Sequence, residues 1–268
     1  MDLEYRVIDG RLAMFKPWDN RPEDWEEYWS THSVEKLLSS EKLADLGEYN
    51  VMAQYLPRDL PVLEAGCGIA RIVAALAAQG YSVEGVDYAE ELIRRVRAVA
   101  PELKVRVGDI YCLDAADGSY GGYISLGVLE HNANGPLDGL REARRVLHRR
   151  GFAFVSVPYL NQIRKKLLKR ARREENANAG NNLRFYQYYF SEQEFVSFLE
   201  SAGFEVVKLH PLGAYWGLVK DIPAIGWLHE RRFSHERIQW KLMSWCERMP
   251  MAGLMRYAHM MMYICRPA

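Results

Sequence analysis

Val62-Leu63-Glu64-Ala65-Gly66-Cys67-Gly68-Ile69-Ala70-Arg71 decides how this chain folds: an apolar run ends in an acid, turns through two glycines and opens a helical period. Glycines at these positions let the backbone turn sharply and touch a ligand directly, where a Cβ would stand in the way. Outward from this loop, short valine-rich strands are expected near 61–65, 82–87, 104–109, 122–127 and 152–157, with helical periods such as 71–79 and 90–99 between them. That alternation calls for an α/β fold, a mostly parallel sheet with helices on both faces. Further on, Ser191 followed by Glu194 is a capping box that opens a helix over 190–202. Gly203 closes it, and a strand over 204–210 follows.

Two ligand classes use such a loop. A dinucleotide site seats a pyrophosphate on the helix N-terminus and wants G-x-G-x-x-G, but the third glycine position here is Arg71. Glu64, two residues before Gly66, would repel a pyrophosphate and suits a cationic ligand instead. Two more strands end in acids. Asp87 closes Val83-Glu84-Gly85-Val86-Asp87 and is placed to accept hydrogen bonds from ribose hydroxyls; Asp109 closes Val105-Arg106-Val107-Gly108-Asp109 and could take an adenine amino group.

From about residue 50 onward the sequence resembles the class I S-adenosylmethionine-dependent methyltransferases, in the broad group that contains the ubiquinone and menaquinone methyltransferases. The matching stretches are Leu63-Glu64-Ala65-Gly66-Cys67-Gly68, Gly85-Val86-Asp87, Gly108-Asp109-Ile110, Gly127-Val128-Leu129-Glu130-His131, Arg145-Val146-Leu147 before Gly151, and Phe190-Ser191 leading to Ala202-Gly203-Phe204. The resemblance implies a Rossmann-like, seven-stranded sheet whose last strand, over 259–265, inserts antiparallel. It implies S-adenosylmethionine as cofactor, with Glu64, Gly66, Asp87, Asp109 and Leu126 lining its pocket. Cys67, Gly68, Tyr88 and Ile110 are expected beside them.

Composition bounds the rest. The 268 residues, 49% hydrophobic with a formal net charge of zero, can bury a full α/β core and show no global basic field for nucleic acid. Four cysteines without C-x-x-C spacing suggest reduced thiols in a cytoplasmic protein. Charges break every apolar run well short of the roughly 20 residues a membrane span needs, and no signal peptide is visible, so the chain is expected to be soluble or at most peripheral. The expected division is a cap segment over 1–50 and a methyltransferase domain over 51–268, with a basic insertion at 158–190 and a second cap at 211–256.

All seven tryptophans fall outside the α/β alternation. Trp18, Trp25 and Trp29 come before it; Trp216, Trp227, Trp240 and Trp245 lie between the last two strands. They either pack the caps onto the sheet or roof an acceptor pocket, for which Trp29, Tyr159, Tyr186 and Tyr189 are the candidate lining residues. The run Arg164 to Arg173 carries seven basic residues around a short stripe of Ile163, Leu167 and Leu168, and the polar stretch Asn176 to Asn182 follows it. It reads as a solvated helix face, or as a helix that binds an anionic membrane surface or a phosphate-bearing lipid-linked acceptor. It resembles, more loosely, an insertion in methyltransferases of bacterial polysaccharide and lipid-glycan pathways.

The expected reaction is an in-line displacement that methylates an oxygen of a small-molecule, glycan or lipid-linked acceptor, with positioning as its main source of rate. His131, just past the fourth strand and next to Glu130, is the candidate general base or else a residue that fixes the turn. The ubiquinone O-methyltransferases carry Glu-x-x-Glu-His here and can hold a metal with it. Gly127 replaces the first acid, so no metal is expected. The position of the [ND]-P-P-[FYW] turn used for amino methylation of adenine reads Leu126-Gly127-Val128-Leu129, which argues against a nucleic-acid base as acceptor. N-methylation of a small amine, a nicotinamide-dependent oxidoreductase or epimerase, and a catalytically silent cofactor-binding partner are the competing classes.

Overall fold

The computed structural model of the protein describes residues 3–39, 47–174, 183–233, 241, 242, 245, 246 and 251–268. The stretch Asn176 to Asn182, Trp240 and part of the 211–256 cap lie outside the described residues. Ten strands are described: β1 (Glu4–Ile8), β2 (Arg11–Lys16), β3 (Val62–Ala65), β4 (Val83–Asp87), β5 (Val105–Val107), β6 (Tyr120–Leu126), β7 (Leu147–Pro158), β8 (Arg184–Tyr189), β9 (Phe204–Leu212) and β10 (Met260–Pro267).

Seven of them form one sheet in the order β5-β4-β3-β6-β7-β10-β9. β3 to β7 run parallel, and β10 lies antiparallel between β7 and β9. This is the Rossmann-like arrangement expected, with strand order reversing on either side of β3, the geometry that opens a ligand crevice at the carboxyl ends of the strands. Both faces are covered. Leu63, Ala65, Tyr123, Val155 and Met261 pack into one layer of the core; Val62, Ile124, Phe154 and Met262 pack into the other. Burial on both faces is why the strands read as continuous apolar runs. The helix Glu192–Ser201 opens as expected, with Ser191 Oγ accepting the Glu194 N–H at 3.4 Å.

A second sheet, β1-β2-β8, was not foreseen. β1 and β2 form a hairpin through Asp9 (φ 50°) and Gly10 (φ 81°), a pair suited to a turn that needs positive φ at both positions. β2 then pairs with β8, Leu12 opposite Tyr189. The small sheet therefore joins the N-terminal segment to residues assigned from sequence to a separate insertion. It is anchored to the end of β7 where Phe190 N–H donates to Pro158 O (2.9 Å) and Leu160 N–H to Phe190 O (2.7 Å).

In the basic helix, Gln162–Glu174, Leu168 of the apolar stripe and Ala171 are buried with Leu12, Leu160 and Tyr189 against the small sheet, and Leu167 packs beside them. Arg164 is a core residue, 1% exposed. Lys165, Lys166, Lys169, Arg170, Arg172 and Arg173 form the exposed face. No described helix is long and apolar enough to cross a membrane.

Candidate functional site

A cavity of about 840 Å³ opens at the carboxyl ends of β3 to β6, within the roughly 300–1,000 Å³ usual for small-molecule sites. Its floor is the glycine loop. Gly66 (φ +79°) and Gly68 (φ +50°) hold conformations that side chains disfavour, and a Cβ on Gly66 would come within 2.5 Å of Val128 Cγ2. The loop is laced to β4: Gly66 N–H and Cys67 N–H both donate to Val86 O, at 2.8 and 3.0 Å. Asp87, at the end of β4, accepts the Gly68 N–H on Oδ2 (2.8 Å) and the Ala89 N–H on Oδ1 (3.0 Å), which fixes its carboxylate at the cavity wall. Burial nonetheless raises Asp87 above its ordinary value.

Asp109, Ile110, Leu126, Tyr88 and Trp29 also line this cavity. The side chains of Glu64 and Cys67 do not. Cys67 turns into the core, where its Sγ would lie 2.8 Å from a Cβ on Gly85. Glu64 is 6% exposed, and its Oε2 accepts the Val73 N–H of the next helix at 3.1 Å. Desolvation raises its pKa to about 8. The ordinary carboxyl value of 4.5 is thus the lower one, and the folded protein keeps its proton up to about pH 8; stability is full below 4.5 and falls as pH rises through that window. Glu64→Gln preserves an acceptor for Val73 and removes the cost of ionisation. That cost is about 1.4 kcal/mol for each tenfold change in proton affinity, and water entering the loop relieves part of it. The variant should therefore stabilise the ligand-free protein by about 2–3 kcal/mol at pH 8 and do little at pH 4. Urea denaturation at the two pH values checks this; equal effects at both would mean that Glu64 is ionised throughout.

The roof comes from the N-terminal segment. Trp29 lies across Gly68, 3.0 Å from where its Cβ would be, and Trp25 packs edge-on to His131 with ring centres 4.8 Å apart. Arg95 holds this segment down by donating to Trp29 O (3.0 Å) and His32 O (2.8 Å). Asn20 joins it to the small sheet, its Nδ2 donating to Tyr186 O at 2.8 Å and Phe185 O at 3.0 Å. Of the C-terminal tryptophans, Trp227 and Trp245 are exposed (55% and 63%) and Trp216 lines a separate cavity. Only the N-terminal tryptophans cover the glycine loop among the described residues.

His131 lines the cavity beside Gly127 and Val128, its side chain 13% exposed. Its Nδ1 is 2.7 Å from Tyr186 O. A carbonyl only accepts, so Nδ1 carries the proton and Nε2 keeps its lone pair. Burial pushes the imidazole down to about 4, so it is neutral at physiological pH. Glu130, 2% exposed and raised by burial to about 8, has Oε1 3.8 Å from His131 Nε2, beyond hydrogen-bond reach.

Of the tyrosines expected in the acceptor pocket, none contributes to the wall of this cavity. Tyr186 acts from behind through its carbonyl; Tyr189 is 3% exposed and packs on Tyr5 and beneath Arg164; Tyr159 is 7% exposed in the core. The wall instead includes Asp19, Asn20, Trp25, Tyr111, Asn132 and Arg184. Apart from the tryptophan cluster, nothing in the spacing of these residues marks them: Tyr111 and Asn132 follow strands of the large sheet, while Asp19, Asn20, Trp25 and Arg184 join them through segments next to the small sheet.

Residues 63–155 match the family described as "Methyltransferase domain". Over 109 residues, 38% of this chain and 15% of the other, the sequence is 33% identical to the O-antigen chain terminator bifunctional methyltransferase/kinase WbdD of Escherichia coli. Over 156 residues, 58% of this chain, it is 30% identical to a "probable S-adenosylmethionine-dependent methyltransferase" of Mycolicibacterium smegmatis and spans 55% of that protein. In fold it is similar to a TehB-like SAM-dependent methyltransferase from Corynebacterium glutamicum, with a TM-score of 0.55 and 18% identity over 92% of this chain and 100% of that one.

Proposed function

We propose, from the premise that this chain carries a class I S-adenosylmethionine-dependent methyltransferase domain, that it methylates a hydroxyl oxygen of a small-molecule, glycan or lipid-linked acceptor. The observation that carries the choice of oxygen is His131: a neutral imidazole on the cavity wall, its proton tied to Tyr186 O and its Nε2 lone pair left over. A hydroxyl must lose a proton as it attacks, whereas a neutral amine attacks without one. The Escherichia coli relative is named for O-antigen chain termination, which supports a glycan acceptor.

The bound cofactor would supply an electrophilic sulfonium methyl. The glycine loop would take it, Gly66 and Gly68 exposing bare backbone there, with Asp87 and Asp109 on the cavity wall as acceptors for the ribose hydroxyls and the adenine amino group. Leu126, Gly127 and Val128 would hold the acceptor oxygen beside His131. His131 Nε2 would take the proton that the hydroxyl loses as it attacks. Trp25, Trp29 and the loop at Asn132 exclude water from that exchange.

S-adenosylhomocysteine at one hundred times its Kd should stabilise the fold by about 2.7 kcal/mol, and NADH should not. A melting temperature unmoved by the former would sink the reading. His131→Ala should leave that affinity unchanged and slow single-turnover transfer by about 100-fold. Since the base is lost only on protonation near pH 4, the wild-type rate should show no acid limb between pH 6 and 7.

A further inference from the structure

A second cavity of about 240 Å³ shares Leu126 and Gly127 with the first and is completed by Glu48, Ser156, Leu212, Gly213, Trp216, His259 and Met260. The wall at His259 carries an arrangement the cofactor does not explain. Arg164 Nη2 donates to His259 Nδ1 at 2.6 Å, and a guanidinium only donates, so the single proton of a neutral imidazole must be on Nε2. That Nε2–H faces Lys220 Nζ at 3.3 Å. Two donors meet with no acceptor between them.

Asp221 favours the charge of Lys220 but makes no hydrogen bond to it among the described residues. Asp221 is taken by Arg164 Nε (3.0 Å) and Asn161 Nδ2 (2.7 Å). Neither Lys220 nor Lys16 forms an ion pair with a described carboxylate. Lys16, from the end of β2, has its Nζ 3.6 Å from the centre of the Tyr186 ring, the residue whose carbonyl orients His131. The charge of Lys220 disfavours that of Lys16, and the charge of Lys16 in turn disfavours a proton on His131, so the groups lie within electrostatic reach of one another. The two lysines thus link the neutral His131 of the first cavity, through the Tyr186 ring beneath Lys16, to the neutral His259 of the second, beside Lys220.

We propose that the acceptor carries an anionic group, phosphate or carboxylate, seated between Lys220, Lys16 and the His259 Nε2–H, with its reacting oxygen on the His131 side of Gly127. The anion supplies the missing acceptor for Lys220 Nζ and the His259 Nε2–H, through charge-assisted hydrogen bonds that are stronger than neutral ones. Arg164, fixed by Asp221, positions His259 and touches no substrate in this scheme. The proposal rests on the methyltransferase reading for its choice of ligand, and its test separates the two.

The protein saturated with S-adenosylhomocysteine is titrated with inorganic phosphate, with succinate and with sodium chloride at matched ionic strength, reading the melting temperature and the tryptophan fluorescence. Phosphate or succinate should shift both at millimolar concentration, the stronger of the two naming the group. Lys16→Gln/Lys220→Gln should lose at least tenfold in anion affinity and keep its S-adenosylhomocysteine affinity, which also shows that it is folded; Lys16→Arg/Lys220→Arg should keep both. No shift beyond that of chloride, or a shift undiminished in the glutamine variant, overturns the proposal. Loss of cofactor affinity in that variant also overturns it, because the lysines would then serve the cofactor's own carboxylate. Failure of the wild type to bind S-adenosylhomocysteine at all would instead remove the methyltransferase reading.

Discussion

Asp87→Ala should bind S-adenosylhomocysteine about 100- to 1,000-fold more weakly than the wild type, about 3–4 kcal/mol. Two losses combine. The proposed ribose hydrogen bonds go, and so do the acceptors of Gly68 N–H and Ala89 N–H, both buried. An unsatisfied buried donor costs about 1–3 kcal/mol, and here it also frees the glycine loop that the ligand must meet. Asp87→Asn keeps one carbonyl oxygen, so it can satisfy one of those donors and should fall in between. Calorimetric titration of the three proteins checks the order. An affinity for Asp87→Ala within threefold of wild type would place the ribose elsewhere.

Arg164→Ala should destabilise the fold by about 3–5 kcal/mol, the effect of stripping one partner from a buried ion pair. The guanidinium donates to Asp221 (3.0 Å), to Tyr159 O (2.8 Å), to His259 O (2.7 Å) and to His259 Nδ1, so it fastens the basic helix, the end of β7 and the start of β10 together. Removing it leaves the Asp221 carboxylate, 4% exposed, with only Asn161. Lys165→Ala, one residue on and exposed, should change stability by no more than about 0.5 kcal/mol. Urea unfolding separates the two; equal, small effects would return Arg164 to the solvated face.

That contrast also marks where sequence reasoning stops. Arg164 stands in a run of identical chemistry, and a charge pattern carries no information about which member of a helix turns inward. The parallel sheet was legible because its strands are buried on both faces and therefore apolar throughout, and because helices intervene at regular spacing. The cofactor loop was legible because glycines and strand-end acids must occupy fixed places in it. The small sheet was only half legible. Asp9-Gly10 between Tyr5, Val7, Leu12 and Met14 is a hairpin signal, but nothing local pairs Arg11–Lys16 with Arg184–Tyr189. The cavity wall inherits that blindness, since Asp19, Asn20 and Trp25 meet Arg184 only through that long-range pairing. Tyr189 and Tyr159 were drawn to the pocket by aromatic character, which serves burial as readily as recognition.

The pairing of Leu12 with Tyr189 also sets a schedule. During synthesis the β1–β2 hairpin leaves the ribosome long before β8 exists, with the hydrogen-bonding edge of β2 uncovered, and an uncovered edge invites pairing with other chains. The large sheet waits longer still, because the strand that fills the gap between β7 and β9 is residues 260–267. The nascent chain thus holds its glycine loop and strand-end acids under a roof held down by Arg95, and Asn20 gains the Phe185 and Tyr186 carbonyls only once β8 exists. A chaperone that shields the hairpin would act in that interval, when the fold is a half-built sheet with its glycine loop facing water.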